Sequence, residues 1–180
     1  MASGLLIIDM QMDMQARLDR GQDRVNGGAG AAIEHLLARF RKAGAPVLHV
    51  RHREDDPAGA FHPSAATFQP MPQAREAEGE PVFVKTSSSA FATTDLEDYL
   101  RLHGIDHLYV VGAVAGFCVN STVRSAADLG FRVSVVRDAV LGFDLGGLPA
   151  QMIFDVTMGL LAADFATMTD TAAVLNGGLV

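Results

Sequence analysis

Apolar residues along the chain fall into short continuous runs, and between them lie stretches in which they recur at helical spacing. The runs at 5–9, 46–50, 81–84, 108–112, 132–136 and 165–168 predict six strands. The first closes on Asp9 and the third on Lys85. Between them, 29–43 carries the stripe Ile33, Leu36, Leu37 and Phe40, with Gly44 placed to cap the helix C-terminus. A second helix is predicted over 94–103, with Thr93 or Thr94 as N-cap and Gly104 as its stop. A third runs from Cys118 to Gly130, where Val119, Thr122, Val123, Ala126 and Ala127 share a face. Helices at 149–163 and 170–175 complete the set. Residues 52–80 are rich in Pro, Gly and charge, have no sustained period, and read as a long lid or binding loop. Strands alternating with helices predict an α/β fold, a mainly parallel sheet and right-handed crossovers, in a single domain over 1–180.

Composition narrows what such a fold does. A chain of 180 residues buries a sizeable core, yet it holds no apolar run of about 18 residues, so no membrane span is expected. The N-terminus has no basic segment before its apolar run, which is too short for a signal peptide and reads as a first strand. The net charge of −7 argues against a nucleic-acid partner, whose phosphates call for a basic face. One cysteine excludes an internal disulfide and fits a reducing, cytoplasmic compartment. Of the 14 basic residues only Lys42 and Lys85 are lysine, which hints that a compact ammonium is wanted at the strand end.

In open parallel sheets the ligand crevice lies beyond the carboxyl ends of the strands. Asp9, Lys85 and the turn from Gly112 to Cys118 all fall at such ends. A thiol in the first turn of a helix meets unpaired N–H groups and the positive end of the dipole, which favour thiolate. Asp9 is placed to serve as general base, Lys85 to hold charge, Cys118 to attack a carbonyl carbon, and the backbone N–H groups of 113–118 to receive an oxyanion. Taken singly, each has a plainer reading: a packed cysteine, a turn-capping aspartate, a solvated strand-end lysine. His49 and His52, three apart on a strand, point to opposite faces and make a poor metal pair. The Asn26-Gly-Gly-Ala-Gly30 segment does not follow the first strand directly, so it reads as a flexible helix entry and not as a dinucleotide loop.

The chain resembles the isochorismatase-like cysteine hydrolase superfamily, which includes nicotinamidases, carbamoylsarcosine and ureidoacrylate amidohydrolases and streptothricin hydrolase-type enzymes. The likeness rests on Leu-Leu-Ile-Ile-Asp9-Met-Gln11, Val-Leu-His-Val-Arg-His52 and Lys85-Thr-Ser-Ser-Ser89-Ala-Phe91 with Thr94-Asp-Leu96 and Gly104-Ile105. Further on it rests on Val-Val-Gly112-Ala-Val-Ala-Gly-Phe-Cys118-Val-Asn-Ser-Thr122 and Val-Val-Arg-Asp138-Ala139. The resemblance implies a three-layer α/β/α domain with a six-stranded sheet, a catalytic Asp9, Lys85 and Cys118, and a non-proline cis peptide at Ala113–Val114. It implies an oxyanion site at the N–H groups of Val114 and Cys118, and a homo-oligomer of unread order. The Asp-x-His of metal-binding relatives is absent from Arg51-His-Arg-Glu-Asp-Asp56, with His62 farther on. The expectation is therefore a metal-independent enzyme without a cofactor, acting on a small amide, lactam or carbamoyl compound. Its substrate pocket is expected to draw on Gln11, Met14, His52, Phe61 and Phe117, with His62 and Phe68 as further candidates. An ester or vinyl-ether substrate, a thiol redox protein and an assembly protein with a relict site are the alternatives.

Overall fold

The computed structural model describes residues 2–178. The chain runs β1 (Ala2–Ile8), α1 (Met12–Asp19), β2 (Arg24–Val25), α2 (Ala29–Ala43), β3 (Val47–His52) and β4 (Val82–Lys85). It continues through α3 (Leu96–Leu102), β5 (Ile105–Ala113), α4 (Asn120–Asp128), β6 (Arg132–Phe143), α5 (Ala150–Asp164), β7 (Thr167–Thr169) and α6 (Thr171–Asn176). The sheet has seven strands in the order β2-β6-β5-β1-β3-β4, with β7 also pairing with β6. All pairings are parallel except that of β2, whose Arg24 and Val25 lie antiparallel to Phe143 and Gly142.

Alternation along the central strands explains the layers. In β1, Leu5 and Ile7 pack on one side with Ile33, Leu36, Leu37 and Phe40 of α2 and Val174 of α6. Leu6 and Ile8 face the other side, against Leu96 and Leu100 of α3, Val123 and Ala126 of α4, and Phe154, Met158 and Leu161 of α5. The central strands are buried on both faces, which is why they read as unbroken apolar runs rather than as alternating ones. No helix among the described residues is long and apolar enough to cross a membrane.

The six predicted strands are present, and three features go beyond that prediction. The seventh, β2, is two residues long and exists through its pairing with the end of β6, so no period marks it. Strand β6 runs on to Phe143 through the exposed pair Arg137 and Asp138, where β5 and β6 lose register between Val110 and Gly112. That polar pair reads in sequence as the end of a strand. Helix α1 has only Asp13 and Met14 buried, and without an apolar stripe its eight residues give no helical signal.

One glycine is required by the way the strands meet. Gly112 has φ of 117°, and a Cβ added there would lie 2.1 Å from the carbonyl oxygen of Ile8. The C-terminal ends of β1 and β5 are thus drawn together at the point where the chain order reverses across the sheet. Neighbouring strands at that point run outward to opposite sides, and a crevice opens between their loops.

Candidate active site

Asp9 follows β1 directly, in a left-handed conformation with φ of 49°, and its N–H donates to the Val50 carbonyl at 3.0 Å. Aspartate tolerates that conformation better than most residues. Lys85 ends β4, two strands away, and pairs in register with His52 at the end of β3. Its stem therefore crosses the end of β3 to reach β1, a span suited to a long unbranched side chain. Cys118 lies in a π-helical turn, Ala115–Val119, that leads from β5 into α4.

These three groups meet around the ammonium. Lys85 Nζ stands 2.7 Å from Asp9 Oδ2 and 3.2 Å from Cys118 Sγ. It also donates to the Ser87 carbonyl at 3.0 Å and lies 3.2 Å from His52 Nδ1. Lys85 is 0% exposed and Asp9 3%, so both charges depend on this cluster for solvation. The carboxylate meets the ammonium as a charge contact; neither of its oxygens receives an aligned hydrogen bond among the described residues.

Burial sets the protonation of the cluster. It pushes Asp9 above its ordinary value against the opposing pull of Lys85. It also pushes the Cys118 thiol up to about 12, with the Asp9 charge adding to the rise and Lys85 opposing it. The helix-start argument for a resting thiolate is thereby corrected: desolvation and a facing carboxylate outweigh the backbone dipoles, and the resting sulfur is a thiol. Burial, followed by the Lys85 charge, lowers His52, so its imidazole is neutral and Nδ1 accepts from the ammonium.

The half-buried sulfur faces a cavity of about 370 Å³. Met14, Phe61, Val114, Phe117 and Leu145 supply its apolar wall. Asp9, His52 and Cys118 stand together on it, with Ser88 and Arg17 as further polar groups. The Phe61 ring meets His52 edge to face at 5.2 Å, which brings the long loop against the site. The Ala113–Val114 peptide at its edge is cis.

Three of the sequence candidates lie off the cavity lining, first among them Gln11. It is fully buried, its Nε2 donates to the carbonyls of His52 and Phe68 at 3.0 and 2.9 Å, and its Oε1 accepts the His52 N–H at 2.8 Å. With both ends of the amide committed, it ties β3 and the long loop to β1 and does not line the cavity. The loop is further stitched down where Met12 N–H meets Gln69 and Met71 N–H meets Met10, each at 2.8 Å. Phe68 contributes its carbonyl to this seam, and His62 lies next to Ser64 at 2.7 Å, outside the cavity lining. His49 bonds Glu80 at 2.9 Å on the opposite side of the strand from the His52 contact. Glu80 also accepts from Arg41 and from the Ala77 N–H, and it is held at about 2 chiefly by these bonds against its desolvation.

Three lining residues carried no assignment from sequence. Arg17 sits on α1, which gave no periodic signal; its spacing of four from Asp13 was the available clue. Leu145 follows the unpredicted extension of β6, and Ser88 lies within the serine run after Lys85.

Comparison with known proteins agrees with this geometry. A family model described as the Isochorismatase domain matches residues 3–173. The uncharacterized isochorismatase family protein YddQ of Bacillus subtilis is 34% identical over 183 residues, covering 98% of this chain and 100% of that protein. A maleamate amidohydrolase of Pseudomonas putida is 31% identical over 153 residues, covering 76% of this chain and 70% of its own length. Among solved structures, a hydrolase of the isochorismatase family from Chromobacterium violaceum superposes with a TM-score of 0.90 at 30% identity, over 97% of this chain and 92% of that one.

Proposed function

The chain belongs to the isochorismatase family of hydrolases, and on that premise we propose that it is a cysteine amidohydrolase cleaving the C–N bond of a small amide, lactam or carbamoyl compound. The observation that carries the reading is the buried Lys85 ammonium, placed between Asp9 and Cys118 on the wall of a small-molecule cavity. A volume of about 370 Å³ is at the small end of ligand pockets, which suits a compact substrate.

In this mechanism Asp9 takes the Sγ proton as sulfur adds to the carbonyl carbon. Its raised pKa makes it a stronger base than an exposed carboxylate, and the Cys118 thiol is among the groups that bear on it. The carbonyl π electrons move to oxygen, and the N–H groups of Val114 and Cys118 are assigned to that oxyanion. When the adduct collapses, the C–N bond breaks, and nitrogen leaves with the proton held by Asp9. A thioester on Cys118 remains. Water then adds to it, giving a proton to Asp9, and the C–S bond breaks to release the carboxylic acid and regenerate the thiol. Lys85 carries its charge throughout, so the cluster never holds an uncompensated anion. Neutral His52 takes no proton in this scheme and orients the ammonium through Nδ1.

Purified protein screened against small primary amides with ammonia detection tests the proposal. Turnover is expected in the wild type and absent in Cys118→Ala, and mass spectrometry of a quenched reaction should find the acyl group on Cys118. Undiminished ammonia release by Cys118→Ala would rule the mechanism out.

A further inference from the structure

The cavity carries a cation that the C–N chemistry leaves unused. Arg17 lies one turn after Asp13 on α1, and its side chain lines the same hollow as Cys118. Its Nε donates to Asp13 Oδ2 at 2.8 Å, and its guanidinium rests over the Phe143 ring at 5.5 Å. These two contacts fix the plane of the group. Its two Nη nitrogens have no hydrogen-bond partner among the described residues. A guanidinium held at one edge and open at its end offers two N–H donors spaced to match the two oxygens of a carboxylate.

We propose that Arg17 anchors a single carboxylate of the substrate, so that the site takes a small monoanionic amide. The scissile amide would lie at Cys118, an apolar linker along Met14 and Leu145, and the carboxylate at the open end of the guanidinium. The identity of the bond cleaved rests on the amidohydrolase reading; the carboxylate site does not.

Charge fixes the orientation. Asp9 repels an anion from the sulfur end of the cavity. The Lys85 ammonium cannot attract one, being fully buried and already surrounded by Asp9, Cys118, His52 and the Ser87 carbonyl. Arg17 is the cation with unfilled donors on the lining. The neighbouring Asp13 offsets part of its charge, which suits a monoanion and disfavours a phosphate dianion. The apolar wall between the two ends suits a linker without further charge.

The test compares succinamate with butyramide, an amide of similar length without the carboxylate, in the wild type, Arg17→Gln and Arg17→Lys. The wild type is expected to prefer succinamate. In Arg17→Gln the ratio of kcat/KM for succinamate over butyramide should fall by about 10–100-fold, mainly through KM, the range for losing hydrogen bonds to a charged group. Arg17→Lys should keep part of the preference, since it retains charge without the fork. Calorimetric titration of succinamate into Cys118→Ala, with and without Arg17→Gln, reads the same site without turnover and should show at least about tenfold weaker binding when Arg17 is replaced. A wild type that favours butyramide, or an Arg17→Gln that loses both amides equally, overturns the proposal. If neither amide is hydrolysed, the amidohydrolase reading is what fails, and calorimetry decides alone. Succinamate binding lost in Arg17→Gln then upholds the carboxylate site, whereas absent or unchanged binding overturns it. Arg17 is partly exposed but Asp13 is buried, so circular dichroism melts accompany each variant, and glutamine and lysine both keep a donor within reach of Asp13.

Discussion

Replacing Lys85 with methionine isolates the electrostatics of the site. The substitution keeps the length and apolar stem of the side chain and removes the ammonium that stands 2.7 Å from Asp9. At an effective dielectric of about 20, that contact contributes on the order of 6 kcal/mol of attraction. The variant does not lose all of it, because Asp9 escapes by taking up a proton. With an ordinary pKa of 3.8, neutralising it near pH 7 costs at most about 4 kcal/mol, at about 1.36 kcal/mol per unit. A second part adds to this: the Ser87 carbonyl and His52 Nδ1 lose their donor, at about 1–3 kcal/mol.

The sign of the pH dependence follows from the direction of the shift. Burial holds Asp9 above 3.8 in the folded state, so its contribution to stability is present below the unfolded pKa and is lost as pH rises through the folded one. Removing Lys85 raises the folded pKa further and extends that loss. Urea unfolding followed by circular dichroism should therefore find Lys85→Met destabilised by up to several kcal/mol near pH 7, and by about 2–4 kcal/mol less near pH 4. In Asp9→Asn/Lys85→Met most of the difference between the two pH values should disappear, since the carboxylate is gone and only His52, relieved of the Lys85 charge, is left to titrate; asparagine keeps the left-handed backbone at Asp9 accessible. A Lys85→Met penalty equal at both pH values, or one whose pH dependence is undiminished in the double variant, would refute the assignment of Asp9 and Lys85 as a coupled buried pair.

Asp9→Asn should lower turnover by about 10²–10⁴-fold, the loss of a general acid–base, yet speed alkylation of Cys118 by iodoacetamide. The carboxylate helps push the thiol up to about 12, so its removal lowers that value; slower alkylation in Asp9→Asn would contradict this electrostatic account. The wild-type thiol should react at pH 8 more slowly than free cysteine and gain reactivity only as pH approaches about 12. Dialysis against a strong chelator should leave amide turnover within about twofold, because His49 is engaged by Glu80 and His52 by Lys85. Activity lost on chelation and restored by zinc or iron would overturn the metal-independent expectation.

Much of the architecture is legible in the residue pattern, because parallel strands covered on both faces must be apolar throughout and a helix on a sheet must carry a stripe. The runs at 5–8, 47–50 and 108–111 and the stripe Ile33, Leu36, Leu37 and Phe40 are direct records of that burial. Asp9, Lys85 and the glycine-rich turn to Cys118 stand out for the complementary reason: polar or reactive groups at the ends of such runs. The sequence also carries Gly112, which the meeting of β1 and β5 requires.

What the pattern does not carry depends on partners distant along the chain. Strand β2 exists through Phe143 and Gly142, and α1 is held in place without a stripe of its own. Whether Gln11 faces a ligand or clamps two loops was decided by carbonyls 41 and 57 residues away. The protonation of Cys118 was decided likewise: local helix dipoles argue for thiolate, but burial and the facing carboxylate prevail once the strands converge. Arg17 enters the site only because α1 packs against the cavity, where Met14 lines it as well. Residue type and spacing encode which surfaces must be hidden from water. Solvation, field and the direction in which a polar side chain points are set by groups brought near through folding, and those were left to the tertiary structure.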